Sequence, residues 1–142
     1  MPVYTSSKRR DELLELWQTC RDVVCGDRAV KEAGERYLPK LAEQDADDYA
    51  KYKMRATFFG ATRRTLHGLL GAMFRKEPEI EPPSAYVRSV IDDVAREVLE
   101  TGRAGILVDV GVDGGNPYMV LYKAEDIINN QYFEHTRSDG KQ

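Results

Sequence analysis

The chain contains only two cysteines and two histidines, and no apolar run approaches the length that spans a bilayer. Each shortage removes a class of explanation. About 18 consecutive apolar residues mark a membrane-crossing helix, and none are present, so no membrane partner is expected. The opening MPVYTSSKRR has no hydrophobic signal core, so synthesis in the cytoplasm is expected. Cys20 and Cys25, on one helix, would lie about 7.5 Å apart along the axis and roughly 140° apart around it. That separation suits neither a disulfide nor a shared metal. Buried, reduced thiols are expected instead, in keeping with a reducing compartment. His67 and His135 are too few and too distant in sequence to suggest a metal site.

An excess of one charge is also lacking. The 21 Lys and Arg against 24 Asp and Glu leave a net charge of −3, which marks neither a general polyanion binder nor an acidic tail. Catalytic signatures are missing too. Gly68-Leu-Leu-Gly71 before Arg75-Lys76 is not the G-x-x-x-x-G-K-[ST] phosphate loop, and it lies on a helical segment. No nucleophile elbow or Ser/His/Asp pattern occurs. Asp109-x-Gly111-x-Asp113-Gly114 imitates the start of a calcium loop, but Gly111 and Val120 stand where oxygen ligands are required. A hairpin turn explains those residues more simply. Asp92-Asp93 and Glu125-Asp126 are adjacent carboxylates, which diverge on a helix, so solvated faces are expected. The chain is therefore read as having no catalytic, cofactor-binding or metal-binding residues, and as not an enzyme.

What is present allows one domain over residues 1–142 with an ordinary core, since 42% of the residues are hydrophobic. The organising stretch is Asp45 to Lys76. Tyr49, Tyr52, Ala56, Phe59, Leu66, Leu70 and Met73 recur at spacings of three and four, one stripe of a helix of period 3.6. Unbroken, it would be about 48 Å long. Asp45, Asp47 and Asp48 open it and Arg75 and Lys76 close it, as the helix dipole prefers. Gly60, Gly68 and Gly71 weaken the interior, and a kink is expected near Gly60. Arg63 falls within the stripe: its stem either packs while the guanidinium reaches water, or it meets a buried or inter-subunit carboxylate. Lys51, Lys53, Arg55, Arg63 and Arg64, with Phe58 and Phe59 between them, form the one patch with a nucleic-acid meaning. Their charges wind around the helix, which favours a solvated surface.

Before this stretch, a helix beginning between Ser6 and Asp11 buries Leu13, Leu16, Cys20 and Val23, flanked by Trp17 and Val24, and ends at Gly26 in the left-handed conformation. Residues 28–40 hold at most a short helical turn, interrupted at Gly34, with Tyr37 and Leu38 pinning the connection. After the long helix, EPEIEPP is an extended link. A third helix is capped by Ser84, buries Val87, Ile91, Val94 and Val98 alongside Val90 and Leu99, and ends at Gly102. Ile106 to Val112 and Tyr118 to Tyr122, around Asp113-Gly114-Gly115-Asn116, predict a β-hairpin with a four- or five-residue loop. Such a hairpin must pack on the helices or join further strands. Ala124 to Ile128 predicts one helical turn. The expected fold class is α+β: mainly α-helical, with three principal helices and a C-terminal antiparallel β-hairpin. Residues 1–7 and 130–142 are expected to be flexible ends.

Several strings, taken in order, form a set: Leu16-Trp17 to Gly26-Asp27 (LWQTCRDVVCGD), Val30-Lys31-x-Ala33-Gly34 with Tyr37-Leu38-Pro39, the run Tyr49 to Arg75, Gly102 to Val110 (GRAGILVDV), Asn116-Pro117-Tyr118, and Tyr122 to Asn129. Together they resemble the N-terminal portion of a family of tailed-bacteriophage portal-like proteins, of phage and prophage origin. The similarity spans most of residues 13–129. It implies a component of the ring at one capsid vertex, through which DNA is packaged and to which the tail attaches. The implied partners are further copies of the chain, the terminase motor, and capsid and tail proteins. DNA is met only indirectly, and neither cofactor nor small-molecule substrate is involved. The implied location is the bacterial host cytoplasm, and the virion for an intact portal.

Members of that family continue much further, through the channel-lining helices and the segment that meets the terminase. They also commonly carry an aromatic residue where this chain has Asn130-Gln131. The chain therefore corresponds to the outer, wing-like body, as a truncated remnant or an excised piece, and by itself would form no working channel. Within that reading, Tyr52, Phe58, Phe59, Arg63 and Arg64 are the candidate packing or subunit-contact residues. The competing reading is a small stand-alone regulatory or nucleic-acid-binding module of prophage origin.

Overall fold

A computed structural model describes residues 5–79, 84–111 and 114–128. The end of the EPEIEPP link, Val112 and Asp113, and everything from Asn129 onward, including Tyr132, Phe133 and His135, lie outside the described residues.

The first helix, α1, runs Lys8–Cys25, and the Ser7 hydroxyl caps it by accepting the Arg10 N–H at 3.2 Å. Thr5 to Ser7 belong to the expected flexible end, yet the Ser7 N–H donates to the Ile128 carbonyl at 3.0 Å. Gly26 ends α1 with φ 92° and ψ −154°. Its φ is positive, as expected, but its ψ is extended rather than left-handed helical. This turns the chain at once into a second helix, α2, Asp27–Glu32. A single 3-10 turn, Gly34–Arg36, follows. Tyr37 and Leu38 then pin the connection: the Tyr37 hydroxyl donates to Asp22 Oδ2 at 2.7 Å, and the Tyr49 hydroxyl donates to the Leu38 carbonyl at 2.9 Å.

The long helix expected from Asp45 to Lys76 is two helices. The first, α3, spans Ala46–Arg55 and is capped by Asp45, whose Oδ1 accepts the Asp48 N–H at 2.8 Å. The second, α4, spans Ala61–Met73, so Arg75 and Lys76 lie beyond its last turn. Between them Ala56 is extended, with φ −59° and ψ 138°, and Gly60 has ψ 49°. The break is more than the expected kink. Two causes act together. Thr57, Phe58 and Phe59 are poor helix formers beside a glycine. Asp27, at the start of α2, also captures the Phe58 N–H with its Oδ1 at 2.9 Å, a bond no continuous helix could leave available. The predicted apolar stripe is thereby cut, and only Leu66 and Leu70 of it are buried.

The last helix, α5, spans Ala85–Thr101; the Ser84 hydroxyl accepts the Val87 N–H at 3.3 Å, and Gly102 closes it in the left-handed conformation, φ 78°. Strands β1, Gly105–Val110, and β2, Pro117–Tyr122, pair antiparallel in the register Gly105↔Tyr122 to Val110↔Pro117. The connection between them runs from Gly111 to Asn116, longer than the expected loop. A second 3-10 turn, Ala124–Asp126, stands where one helical turn was predicted.

In the assembly of these elements α1 is central, touching α2, α4, α5 and the Ala124–Asp126 turn, while the hairpin meets the helices through β2 against α5. The buried apolar residues are Trp17, Val30, Leu66, Leu70 and Ala124. The predicted stripes are rotated relative to this core. Leu16 and Val98 are exposed at 56% and 44%, while Trp17 and Glu97 are buried. Cys20 is half-buried and Cys25 exposed, which corrects the expectation of two buried thiols; neither forms a disulfide. No helix among the described residues is long and apolar enough to cross a membrane.

Candidate functional site

The helices are joined by one cation. Arg21, on the inner side of α1, directs its guanidinium at carboxylates from two other elements. Its Nε and Nη2 grip Glu125 Oε1 and Oε2, each at 2.8 Å. Its Nη2 and Nη1 reach Glu97 Oε1 and Oε2 at 2.5 and 3.1 Å, and Nη1 also meets Glu100 Oε1 at 3.2 Å. These bonds use all the donors a guanidinium has, in the fork geometry that lysine cannot reproduce. Glu97 is 6% exposed, and its Oε1 also accepts the Ala124 N–H at 3.3 Å. Arg10 adds a second clasp, donating from Nε and Nη2 to the Glu125 carbonyl at 2.9 and 2.7 Å. The Trp17 indole N–H donates to the Thr101 carbonyl at 3.1 Å. The start of α1, the end of α5 and the turn after β2 are thus tied together by polar bonds.

Glu125 was expected on a solvated face. It is an ion-pair partner instead, because the 3-10 turn points its side chain back at α1. The Glu125 and Glu97 carboxylates hold the Arg21 guanidinium above its usual range. In return Arg21 holds the Glu125 carboxyl below its ordinary value of 4.5. A carboxyl with a lower pKa in the fold than in the unfolded chain stabilises the fold fully above its ordinary value and loses that contribution as pH falls through the lowered one. The contribution of Glu125 to stability should therefore be complete above about pH 5 and shrink as pH falls below its ordinary value. Circular dichroism melts of Glu125→Gln should show a shallower acid fall than the native chain.

The candidate contact residues separate into two groups. Tyr52 and Phe58 are half-buried. Tyr52 stands beside Pro39, Leu41 and Gln44, its ring 6.2 Å from that of Tyr49. Phe58 turns inward beside Val23, Val30 and Leu38. Phe59, Arg63 and Arg64 face outward at the elbow between α3 and α4. Phe59 is 73% exposed, and the Arg64 guanidinium lies over its ring at 5.4 Å. Arg63 is exposed and has no ion-pair partner among the described residues. The basic patch is divided likewise. Lys51 is neutralised by Asp47 and Asp48 at 2.5 and 3.6 Å, Lys53 lies over the Tyr49 ring, and Arg63 and Arg64 sit on a different helix.

Behind the elbow an open groove of about 500 Å³, lined by Cys20, Val23, Val24, Leu66, Leu69 and Leu99 among others, runs between α1, α4 and α5. It is apolar and holds no convergence of acids and bases. The carboxylates nearest it are committed to Arg21. Among the described residues no group of three His, Cys, Asp or Glu side chains is arranged to hold a metal ion. The arrangement can bind apolar surface, and it shows no pair of groups poised for proton transfer.

Arg21 and Glu97 were not singled out by sequence, and Glu125 only as half of a carboxylate pair expected on a solvated face. The available signal was a charged residue one position away from each apolar stripe, and many solvated charges share that signal. Comparison with models of known protein families, with curated proteins and with solved structures finds no match to this chain.

Proposed function

We propose that the chain is a structural phage or prophage protein that acts by protein–protein assembly, resembling the N-terminal, wing-like part of the portal. The observation that carries this reading is an imbalance of apolar surface. Among the described residues five apolar residues are buried, while seventeen large ones, from Leu16 to Ile128, stand exposed. Part of this surface is gathered in the apolar groove between α1, α4 and α5, and apolar surface left uncovered in a groove is a mark of a site that meets another molecule. A body whose helices are fixed by a polar clasp, and whose apolar residues face outward, suits a piece that completes its packing against other chains. By resemblance those chains are further copies of the subunit and capsid, tail and terminase proteins. The nucleic-acid alternative has no continuous basic face to rest on, since its five cations are divided between two helices and Lys51 is already paired.

Native mass spectrometry and imaging of the purified chain test the proposal. Self-associated particles are expected, together with no DNA retention in a shift assay at low salt. Strictly monomeric protein that binds DNA, with affinity falling by orders of magnitude as salt rises, would replace this reading by the alternative. Arg63→Ala should leave the melting temperature unchanged, because the side chain is exposed, so any loss of self-association in that variant reports a contact between chains.

A further inference from the structure

We propose that β1 is the self-association edge of this chain, pairing antiparallel with β1 of a second copy about a two-fold axis at Leu107. The two edges of the hairpin differ. On β2 the outward-facing backbone of Met119 is already occupied: its N–H donates to the Tyr86 hydroxyl at 2.7 Å, and the same hydroxyl donates to its carbonyl at 2.6 Å. Tyr86, from α5, thus occupies the middle of that edge, between Leu121 and Pro117, and the latter has no N–H to offer. This also fixes the phase of the ladder. If Met119 points its polar groups outward, the Val108–Met119 pair is a non-hydrogen-bonded one. The outward residues of β1 are therefore Ile106, Val108 and Val110. The Val110 N–H is turned to its own neighbour, bonding Asp109 Oδ1 at 2.8 Å. Ile106 and Val108 have no backbone partner on the outer side among the described residues.

Among the described residues β1 therefore keeps two consecutive outward residues able to pair, whereas on β2 Leu121 is cut off by Tyr86. Natural edges are usually blunted by charged side chains, proline or a bulge; in Gly105–Val110, GILVDV, the one such device is Asp109, which covers only the Val110 N–H at the strand's end. Ile106 and Val108 are 50% and 64% exposed. The second copy follows from self-complementarity. A two-fold axis at Leu107 sets Ile106 opposite Val108 of the other chain and Val108 opposite its Ile106, which satisfies the outward N–H and carbonyl groups of both residues by reciprocal bonds. The same register sets Asp109, the only charge on the strand, opposite Gly105 rather than opposite another Asp109. Moving the axis to Ile106 would require Ala104, beyond the strand, and moving it to Val108 would require the Val110 N–H already taken. Because Tyr86 blocks the middle of the far edge at Met119, the pairing stops at a four-stranded sheet, with β2 outermost on both sides. The contact is small, below the ~1,000 Å² of a stable interface, so association is expected at high protein concentration. The inference rests on the edge geometry and not on the phage reading.

Two measurements test it. In sedimentation velocity at about 100 μM the chain should show a reversible dimer, a concentration suited to a weak contact. Val108→Pro deletes an outward N–H while sparing the bonds to β2, a substitution that edge strands accept. It should keep the native circular dichroism spectrum and weaken dimerisation about thirtyfold, by removing one bond in each direction. Independently, in a chain carrying Cys20→Ala and Cys25→Ser, Leu107→Cys should cross-link on mild oxidation, since that pair would lie within disulfide range. Ile106→Cys and Val108→Cys, each facing a different residue, should not. A monomer at every concentration, a dimer unaffected by Val108→Pro, or cross-linking at 106 or 108 rather than 107 would overturn the proposal. If the chain assembles without cross-linking at 107, the strand pairing falls and the assembly reading stands.

Discussion

Arg21→Ala is expected to lower the stability of the fold by about 3 kcal/mol, the low end of the range for breaking a buried ion pair. The low end applies because the guanidinium keeps 20% of its exposure to solvent. What decides the size of the effect is the group left behind. Glu97 is almost fully buried, and Glu100 and Glu125 converge on the same place. Without Arg21, three carboxylates face one another with no cation between them. An ordinary domain has only about 5–15 kcal/mol to lose, and this one has few buried apolar side chains to fall back on. Arg21→Lys should recover only part of the loss, because an ammonium has three donors where the guanidinium uses five and cannot grip a carboxylate bidentately. Urea unfolding followed by the fluorescence of Trp17, the one tryptophan, measures both variants. A midpoint for Arg21→Ala equal to that of the native chain would mean that solvent already screens the cluster.

Trp17→Ala should be at least as damaging, at about 3–5 kcal/mol. Trp17 is 3% exposed and is the largest side chain in the core. It also fastens the end of α5 by donating its indole N–H to the Thr101 carbonyl. Trp17→Phe separates the two contributions. It keeps an aromatic ring in place and removes the donor, so a smaller loss of about 1–2 kcal/mol is expected. Unfolding of these variants is followed by circular dichroism, since the fluorophore is gone. Equal losses in the two would show that the hydrogen bond, and not the packed ring, is what matters at this position.

These two residues also mark how far local pattern carried. The ends of α1, α3 and α5 follow from Ser7, Asp45, Ser84 and Gly102, because a cap is a bond between residues a few positions apart. The hairpin follows from two β-branched runs around a glycine-rich turn. Mainly helical α+β architecture with one antiparallel hairpin was therefore legible. The break at Ala56–Gly60 was only half legible. Gly60 and the β-branched and aromatic residues before it weaken a helix, but the stripe from Tyr49 to Met73 matches helical period across the gap. Asp27 makes the difference, and it lies far away in sequence.

The burial pattern was less accessible still. Leu16 and Val98 follow the apolar period, yet the packing of α1 against α5 is rotated so that Trp17 and Glu97 face inward. Periodicity says that a helix has an apolar side, and it does not say which few degrees of that side meet a neighbour. By itself the sequence determined the starts of α1, α3 and α5, the end of α5, the hairpin and the near balance of charge, all of which depend on neighbours along the chain. Only the tertiary structure decided that Arg21 gathers Glu97, Glu100 and Glu125, that Trp17 fastens the end of α5, and that Tyr86 occupies Met119 on the outer side of β2. Each of those contacts joins residues many positions apart, and no local pattern encodes the rotation and distance that bring them together.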